Sequence, residues 1–247
     1  MLCNSAGERV MNLILLSGDD YIQEQLVRLS DYRCRHITQV HKAVVGDTLR
    51  VGDLSGCMGT GTVVAINSTA VTMTVDCNDS PPVAPPITLI LALPRPKVLK
   101  RVLITATTLG IKRIILLNSW RVDKSYWQTP VLQQEQIESL LITGLEQARD
   151  TILPLVEQQR LFKPFVQDQL PAIISNGSSY VAHPGSVATA KSFAGDCRSV
   201  TIVVGPEGGF IPYEIELLTA AGVQPLSIGE RILRVETAVT VLSSYFL

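Results

Sequence analysis

The distribution of apolar positions in the middle of the chain predicts a strand, a helix and a second strand in succession. The uninterrupted apolar run Ile87–Leu93 is typical of a buried strand. The helix that follows opens at Pro94-Arg95-Pro96, and its apolar residues recur at helical spacing: Val98, Leu99, Val102, Leu103, Ala106 and Leu109. Gly110 suits the C-terminal cap, and Arg113–Leu117 is the second strand. This βαβ order predicts a parallel sheet with a right-handed crossover.

The rest of the C-terminal half continues to alternate between the two patterns. Further strands are predicted at Tyr180–His183, Ser199–Val204 and Gln224–Ile228, and further helices at Gln134–Arg149, at 212–221 and from about Glu236 to Phe246. Pro212 lies in the first turn of helix 212–221 and Gly222 follows its end, as is usual for these two residues. The pattern therefore predicts an α/β domain over residues 87–247.

Before residue 78 the pattern is different, because short β-branched runs replace the helical spacing. Thr62–Ile66 and Ala70–Val75 are typical of strands. We expect a small β-barrel over residues 11–78, with one helix from about Asp19 to Leu29. Residues 79–86 contain four prolines and are predicted to form an extended linker.

Cysteine usage and charge narrow the class of protein. The 247 residues carry a net charge of −1 and five scattered cysteines without a Cys-x-x-Cys pair, which favours reduced thiols in the cytoplasm. The N-terminus lacks a basic region followed by a sustained apolar region, so a secretion signal is not expected. The segment Ile87–Leu93 is far too short to cross a bilayer.

Positive charge is concentrated between Arg95 and Lys124. This stretch holds one acid, Asp123, and eight basic residues: Arg95, Lys97, Lys100, Arg101, Lys112, Arg113, Arg121 and Lys124. Such a stretch is typical of a solvated helix face and also of a surface that contacts phosphates. The charge pattern alone leaves both interpretations open.

Motifs of several common active sites are absent from the sequence. Gly205–Gly209 lacks the lysine and hydroxyl of a triphosphate-binding loop, and neither Gly-x-Gly-x-x-Gly nor Gly-x-Ser-x-Gly occurs. The histidines His36, His41 and His183 match no zinc-ligand spacing with the cysteines, so no metal site is expected. Pro184 restricts His183 to an extended backbone, which suits either the rim of a pocket or a simple turn.

Two turns that contain glycine are the best pointers to a ligand site. Gly205–Gly209 and Gly229 each follow an apolar strand pattern. Glycine lets the backbone approach a ligand closely and adopt positive φ angles. Because the carboxyl ends of parallel strands meet at one edge of the sheet, we expect the two turns to form a single pocket there.

The segment after Gly229 alternates apolar and charged residues. Ile232, Leu233 and Val235 are expected to be buried. Arg231 and Arg234 are three residues apart, so in a helical turn they would share a face. An arginine paired with Glu236 or Glu230 at a helix N-terminus remains the alternative interpretation of these charges: Arg231, Arg234, Glu230 and Glu236.

Taken together, these segments resemble the RsmE-type 16S ribosomal RNA uridine-N3 methyltransferases of the SPOUT class. The resemblance rests on Gly205–Gly209 and Ile228–Ala238, and three more stretches agree in the right order: Leu91–Ile111, Glu146–Arg149 and His183-Pro184. It covers about residues 11–247. Residues 1–10 then look like an extension upstream of the natural start.

The resemblance implies a trefoil-knotted SPOUT methyltransferase domain at residues 87–247, preceded by a PUA-like β-barrel that binds RNA. It implies a homodimer without metal or membrane, located in the cytoplasm. The implied reaction is methylation of N3 of a uridine in 16S rRNA of the small ribosomal subunit, with S-adenosyl-L-methionine as cofactor. The residues implied to bind this cofactor are His183, Pro184, Gly205, Pro206, Glu207, Gly208, Gly209, Ile228, Gly229, Ile232 and Leu233.

The implied reaction also assigns catalytic and RNA-binding residues. Arg231 and Arg234 are expected to stabilise negative charge at N3, and Glu236 or Glu146 to accept its proton. The residues expected to contact RNA are Arg33, Arg35, His36, Arg95, Lys97 and Arg121.

Three alternatives remain at this point. The first is a non-catalytic RNA-binding or ribosome-assembly factor on the same fold. The second is a methyltransferase that acts on a different RNA. The third is an enzyme of a phosphate-bearing small molecule, with Gly205–Gly209 as an anion cradle.

Overall fold

A computed structural model of the chain describes residues 12–184, 186 and 199–247. The expected N-terminal extension, residues 1–10, lies outside the described residues. The chain divides into two compact units: residues up to Val83 together with Ile142–Leu153, and Ala84–Leu141 together with Pro154–Leu247. Across the described ranges, no helix combines the length and the apolar character that a membrane crossing requires.

The first unit is built around a curled sheet. Its described strands are β1 (Ile14–Leu16), β2 (Tyr21–Gln23), β3 (Leu26–Leu29), β4 (Thr48–Asp53), β5 (Met58–Ile66) and β6 (Val71–Asp79). They pair in the order β1-β4-β5-β6-β3-β2, with β1 and β4 parallel and the other pairs antiparallel. A 3₁₀ turn (Gly18–Asp20), helix α1 (Tyr32–Arg35) and a π-helix (His36–His41) lie between strands.

The helix expected from Asp19 to Leu29 is wrong, because this segment forms β2 and β3. In β3 burial alternates, with Val27 and Leu29 fully buried and Arg28 exposed between them. That period of two is the pattern of a strand with one face on a core. The preceding Asp20 accepts the backbone N–H of Ser17 at 2.7 Å, which stabilises a local turn rather than a helix interior.

The second unit contains a parallel sheet and the longest helices that the structure describes. Its strands are β7 (Ile87–Ala92), β8 (Arg113–Leu117), β9 (Leu155–Gln159), β10 (Ser178–Ala182), β11 (Val200–Val204) and β12 (Gln224–Leu226). The α-helices are α2 (Pro96–Thr108), α3 (Gln134–Ala148), α4 (Phe162–Pro164), α5 (Leu170–Ile174), α6 (Pro212–Ala220) and α7 (Val235–Ser243). From Ile142 onward α3 belongs to the first unit. Shorter turns are 3₁₀ helices at Lys124–Gln128 and Pro130–Leu132 and a π-helix at Phe165–Gln169.

The strand order of this sheet, β12-β10-β11-β7-β8-β9, places a topological switch between β7 and β11. The chain leaves β7 through α2 toward β8 on one side, and leaves β11 through α6 toward β12 on the other. All pairs are parallel, so the carboxyl ends of the strands share one edge. A crevice opens at such a switch point in open α/β sheets.

The predicted parallel sheet and the βαβ unit at its centre are confirmed, and in this unit the predicted helices and strands end within about three residues of the observed ones. In the first unit, β5 begins and β6 ends four residues beyond the predicted strands. β9 and the helical turns between Phe162 and Ile174 escaped the sequence patterns. The strand β9, Leu-Val-Glu-Gln-Gln, is an edge strand with half-buried and exposed residues, so it lacks the apolar run of a central strand. Pro164 and Pro171 interrupt the helical pattern of the other segment.

Candidate functional site

A cavity of about 800 Å³ lies at the carboxyl ends of four parallel strands. The loops after β7, β10, β11 and β12 form its walls, together with the first turns of α2 and α7. Every residue expected to bind the cofactor lines this one cavity, as do Arg231, Arg234 and Glu236 of the expected catalytic residues; Glu146, the alternative proton acceptor, does not. The two glycine turns that the sequence places 20 residues apart therefore face the same space; the individual roles remain predictions.

The turn after β11 is held on both sides by neighbouring loops. Within it, Gly209 adopts a φ of +69° and donates its N–H to the carbonyl of Pro206 at 2.8 Å. A carboxylate oxygen of Glu207 accepts the N–H of Arg95 at 3.0 Å, which ties the turn to the start of α2. The guanidinium of Arg121, from the loop after β8, donates to the carbonyl of Gly208. These contacts hold the wall in place without any ligand.

The loop after β12 has a local hydrogen-bond pattern of its own. Gly229 has a φ of +134°, and among the described residues no atom beyond its own chain neighbours lies within 4 Å of where a Cβ would stand. Its N–H donates to the hydroxyl of Ser227 at 3.3 Å, and that hydroxyl donates to the carbonyl of Gly229 at 3.2 Å. Beside it, the N–H of His183 donates to the carbonyl of Leu226 at 3.0 Å, which brings the His183-Pro184 turn to the same rim.

Among the residues that the structure describes, the arginines of this loop do not pair with Glu230 or Glu236, as the alternative interpretation would require. Glu236 in the first turn of α7 pairs with Arg101 of α2, at 3.0 Å between carboxylate and guanidinium. Arg231 and Arg234 are exposed at the cavity and form no ion pair within the described parts of the chain. Two cations are thus available to a bound substrate.

The expected burial of the neighbouring apolar residues is only partly right. Val235 is buried at the start of α7 and Leu233 is half-buried. Ile232 is 85% exposed, so its expected burial is wrong in this chain by itself. The reason is that residues 229–234 form an irregular loop, in which alternate side chains need not face a core.

The cavity combines an apolar wall with an excess of positive charge. Val98, Val204, Phe210, Leu233 and Ala238 supply apolar surface. Five arginines and two glutamates line it: Arg95, Arg101, Arg121, Arg231, Arg234, Glu207 and Glu236. Such a site suits a ligand with an apolar part and polar groups, and it favours an anionic second partner.

The residues expected to contact RNA fall into two groups. Arg95 and Arg121 line the cavity, and Lys97 is exposed in the first turn of α2. In the first unit Arg35 is exposed, whereas His36 is buried and contacts the ring of His41 edge-on at 4.8 Å. A buried imidazole is not presented to an RNA backbone, so the structure disfavours that role for His36.

Arg33 has a role inside the first unit that the sequence did not suggest. Its side chain is 11% exposed and pairs with Asp20 at 2.6 Å and Asp31 at 2.9 Å, and it also donates to the carbonyl of Leu15 at 2.6 Å. Burial alone would lower the pKa of Arg33, but these two carboxylates raise it above its ordinary value. The arrangement disfavours the expected RNA contact, because every side of the guanidinium fork is already engaged.

Glu146, one of the two expected proton acceptors, lies in the first unit and does not line the cavity. It is 1% exposed and accepts the hydroxyl proton of Tyr32 at 2.6 Å. Its backbone carbonyl accepts the N–H groups of Asn12 and Leu13, both at 3.1 Å. Glu146 therefore fixes β1 and α1 around α3, which leaves Glu236 as the acidic candidate at the cavity.

Sequence reasoning missed the cavity residues that come from the helices. Val98, Arg101 and Ala238 lie on faces of α2 and α7 that meet only through the tertiary fold. Phe210 directly follows the glycine turn Gly205–Gly209, and that adjacency is a signal that the sequence offers. No group of three or more His, Cys, Asp or Glu side chains suited to a metal occurs among the residues with described positions.

Comparison with known proteins gives consistent results. Residues 81–247 match the model of a family described as RNA methyltransferase domain. The ribosomal RNA small subunit methyltransferase E of Treponema pallidum is 27% identical over 92% of this chain and 87% of its own length. The protein of the same name from Synechocystis is 26% identical over 96% of this chain and 78% of its own.

Two solved structures share the fold. One is the ribosomal RNA small subunit methyltransferase E of Neisseria gonorrhoeae bound to S-adenosyl methionine, with a TM-score of 0.72 and 20% identity over 96% of this chain and 95% of that one. The other is a Legionella pneumophila protein described as a methyltransferase and solved with the cofactor SAM. It has a TM-score of 0.74 and 24% identity over 96% of this chain and 97% of that one.

Proposed function

This chain belongs to the RNA methyltransferase domain family and is of the RsmE type, and from that premise we propose that it methylates N3 of a uridine in 16S rRNA with S-adenosyl-L-methionine as cofactor. The observation that carries the proposal is the cavity at the strand switch point, where both glycine turns and the exposed Arg231 and Arg234 meet. The non-catalytic alternative leaves such a cavity without a purpose. The names of the full-length relatives support small-subunit rRNA as the substrate.

The residues present fit the cofactor. A cavity of about 800 Å³ accommodates a ligand of this size. In the part of the chain that the structure describes, no atom beyond the chain neighbours lies within 4 Å of a Cβ placed on Gly209 or Gly229, so the backbone is open to close approach there. We propose that the amides and carbonyls of Gly205–Gly209 and Ile228–Leu233 hold the polar groups, and that Ile228 and Leu233 cover the adenine. When bound, the cofactor supplies the sulfonium methyl group that is transferred.

The chain itself positions the uridine and manages its N3 proton. N3 is protonated at neutral pH, so a proton must leave and negative charge must be stabilised as the nitrogen becomes a nucleophile. Arg231 and Arg234 are the exposed cations at the cavity and are proposed to stabilise this charge. Glu236 is proposed to accept the proton. Arg101 lies 3.0 Å from one carboxylate oxygen of Glu236, and we propose that the other oxygen takes the proton.

Several features of the wider assembly belong to the same proposal. The second unit is proposed to carry the trefoil knot of the SPOUT class, with the domain spanning 87–247, and the first to be a PUA-like barrel over 11–78 joined by a linker at 79–86. Arg35, Arg95, Lys97 and Arg121 are proposed to contact RNA phosphates, since all four are exposed. The enzyme is proposed to act as a homodimer in the cytoplasm.

The test is a comparison of rRNA from a strain that lacks the gene with rRNA from its parent. Nucleoside mass spectrometry of 16S rRNA should show the loss of one 3-methyluridine, restored by the wild-type gene and not by an Arg234→Ala gene. In parallel, calorimetry should detect binding of S-adenosylhomocysteine to the purified protein. Unchanged 3-methyluridine in the deletion strain, or a folded protein that binds no S-adenosylhomocysteine, would remove the proposal.

A further inference from the structure

The main chain at Trp120 is anchored, whereas its indole lies in solvent. Trp120 is 78% exposed, although only two residues separate it from the buried end of strand β8. Its backbone N–H donates to a carboxylate oxygen of Glu214 at 2.8 Å. Glu214 is itself 3% exposed, and its other oxygen accepts the N–H of Ile211 at 3.0 Å. The main chain at Trp120 is therefore anchored to the buried Glu214 in the first turn of α6, while the ring is left uncovered.

The other tryptophan of the chain shows what a structural role looks like here. The indole N–H of Trp127 donates to the side-chain carbonyl of Asn118 at 2.9 Å. Its ring is only partly exposed, and the guanidinium of Arg160 lies 5.1 Å from the ring centroid. Trp127 is thus engaged at its polar atom and on its face. Trp120 has neither kind of contact within the described residues, so its large apolar face has no evident use in folding.

Position and charge connect Trp120 to the cavity. Arg121, the next residue, lines the cavity and donates to the carbonyl of Gly208 in the turn after β11. Lys124 follows three residues later. Arg95 and Lys97 lie at the start of α2, just after the neighbouring strand β7, and all four cations are exposed. A single exposed indole among cations is typical of proteins that stack unpaired bases while contacting phosphates. A protein-docking patch would instead present contiguous apolar surface.

We propose that Trp120 is a stacking platform for an unpaired base of the RNA substrate, next to the base that enters the cavity. This inference rests on the proposed function. Trp120 stacks on a base face while Arg121 and Lys124 contact the phosphates on either side of it. Stacking is tolerant of sequence because every base has a π-face, so this residue contributes affinity and register, and the cavity supplies the choice of base.

The first experiment uses the two tryptophans as separate fluorescent reporters. A Trp127→Phe variant leaves Trp120 as the emitter, and a Trp120→Phe variant leaves Trp127. Titration with a single-stranded RNA of mixed sequence should quench the emission of the Trp127→Phe protein and leave the Trp120→Phe protein nearly unchanged. A duplex of the same sequence should quench weakly, because its bases are already stacked on one another. Equal quenching in both variants, or none in the Trp127→Phe protein, would overturn the platform.

The second experiment measures affinity directly. Trp120→Ala should weaken binding of fluorescein-labelled single-stranded RNA about tenfold, and Trp120→Phe should retain most of the affinity. Leu155→Ala is the matched control, because Leu155 is also exposed, at 59%, but lies on the edge strand β9 and outside the cavity. If Trp120→Ala binds RNA within twofold of the Leu155→Ala protein, the inference is wrong.

Failure of this inference and failure of the proposed function give different results. Calorimetry with S-adenosylhomocysteine should give the same affinity for Trp120→Ala as for the wild type, because Trp120 does not line the cavity. If the wild-type protein transfers no methyl group but the Trp120→Ala variant binds RNA more weakly than the wild type, the stacking role of Trp120 is supported and the methyltransferase proposal is wrong. If transfer occurs and RNA affinity survives Trp120→Ala, the platform falls and the methyltransferase proposal stands.

Discussion

Replacement of Gly229 by alanine should weaken cofactor binding through the backbone alone. Gly229 has a φ of +134°, a region that residues with a Cβ avoid, and it lies in the loop that lines the cavity. The added methyl group has no atom within 4 Å outside the chain neighbours of Gly229, so the substitution introduces no clash with the residues that the structure describes. The remaining effect is backbone strain, which in such regions costs about 1–3 kcal/mol.

The size of the affinity loss follows from that strain. An alanine relaxes toward negative φ, so only a fraction of the molecules keep the loop in the geometry that holds the cofactor. Apparent affinity falls by the same fraction. At 1.4 kcal/mol for each tenfold change, a cost of about 1–3 kcal/mol raises the dissociation constant by roughly 5- to 150-fold. Isothermal titration with S-adenosylhomocysteine measures this change directly.

Gly222 provides a matched control in the same unit. Its φ is +102°, and an added Cβ would lie 3.5 Å from Ile174, an ordinary contact. It follows α6 and precedes β12, so it lies at the amino end of the sheet, opposite the cavity. Gly222→Ala should therefore lower the melting temperature about as much as Gly229→Ala while leaving the affinity unchanged. Wild-type affinity in Gly229→Ala, or an equal loss in both variants, would refute the reasoning.

Three further predictions concern catalysis, acid stability and thiol reactivity. Arg234→Ala should lower kcat about 10²-fold with little change in S-adenosylhomocysteine affinity; an equal loss of both would mean that Arg234 only supports the cavity. Burial raises the pKa of Asp20, but the hydrogen bonds from Arg33 and Ser17 outweigh it and hold that pKa below its ordinary value of 3.8. The stability that Asp20 contributes is therefore complete above that value and is lost as pH falls through the folded pKa. In urea unfolding below about pH 4, the free energy of unfolding should fall more steeply with decreasing pH in the wild type than in Asp20→Asn. Burial and nearby carboxylates raise the pKa of Cys77 to about 11, so iodoacetamide near pH 8 should label the exposed Cys57 before Cys77; faster labelling of Cys77 would contradict this.

The parts of the fold that the sequence predicts well are those in which burial imposes a regular period. The helical spacing from Val98 to Ala106 reappears in α2, which buries one face, and the apolar run Arg113–Leu117 reappears in β8, a strand inside the parallel sheet. Where one face is solvated the signal weakens. The edge strand β9 carries three polar residues among its five and was missed. β2 and β3 were mistaken for a helix, since two short strands joined by a tight connection leave too few residues to show their period.

The candidate site shows the same division. Gly205–Gly209 and Gly229 can be recognised in the sequence because glycine adopts positive φ angles that other residues avoid. The parallel sheet then brings both turns to one edge. The role of a charged residue cannot be read from the sequence in the same way. Nothing in the sequence distinguishes Arg33, engaged by two aspartates, from Arg35, which is exposed two residues later. The pairing of Arg101 with Glu236 joins positions 135 residues apart, and only the packing of α2 beside α7 creates it.

The two walls of the cavity differ in how firmly they are held, and this difference suits a reaction with two substrates. The wall at Gly205–Gly209 is tied to its neighbours through Glu207 and Arg121, so it is formed before any ligand arrives. The loop after β12 is held chiefly by the short-range bonds of Ser227, as far as the described residues show. It also carries the exposed Arg231 and Arg234. A fixed wall reduces the entropic cost of binding the methyl donor. The looser loop is proposed to cover the other side of the donor, and its mobility lets Arg231 and Arg234 adjust to the RNA. Orientation of the two reactants contributes strongly to catalysis of a group transfer, so a firm wall for the donor and adjustable cations for the RNA serve the proposed reaction together.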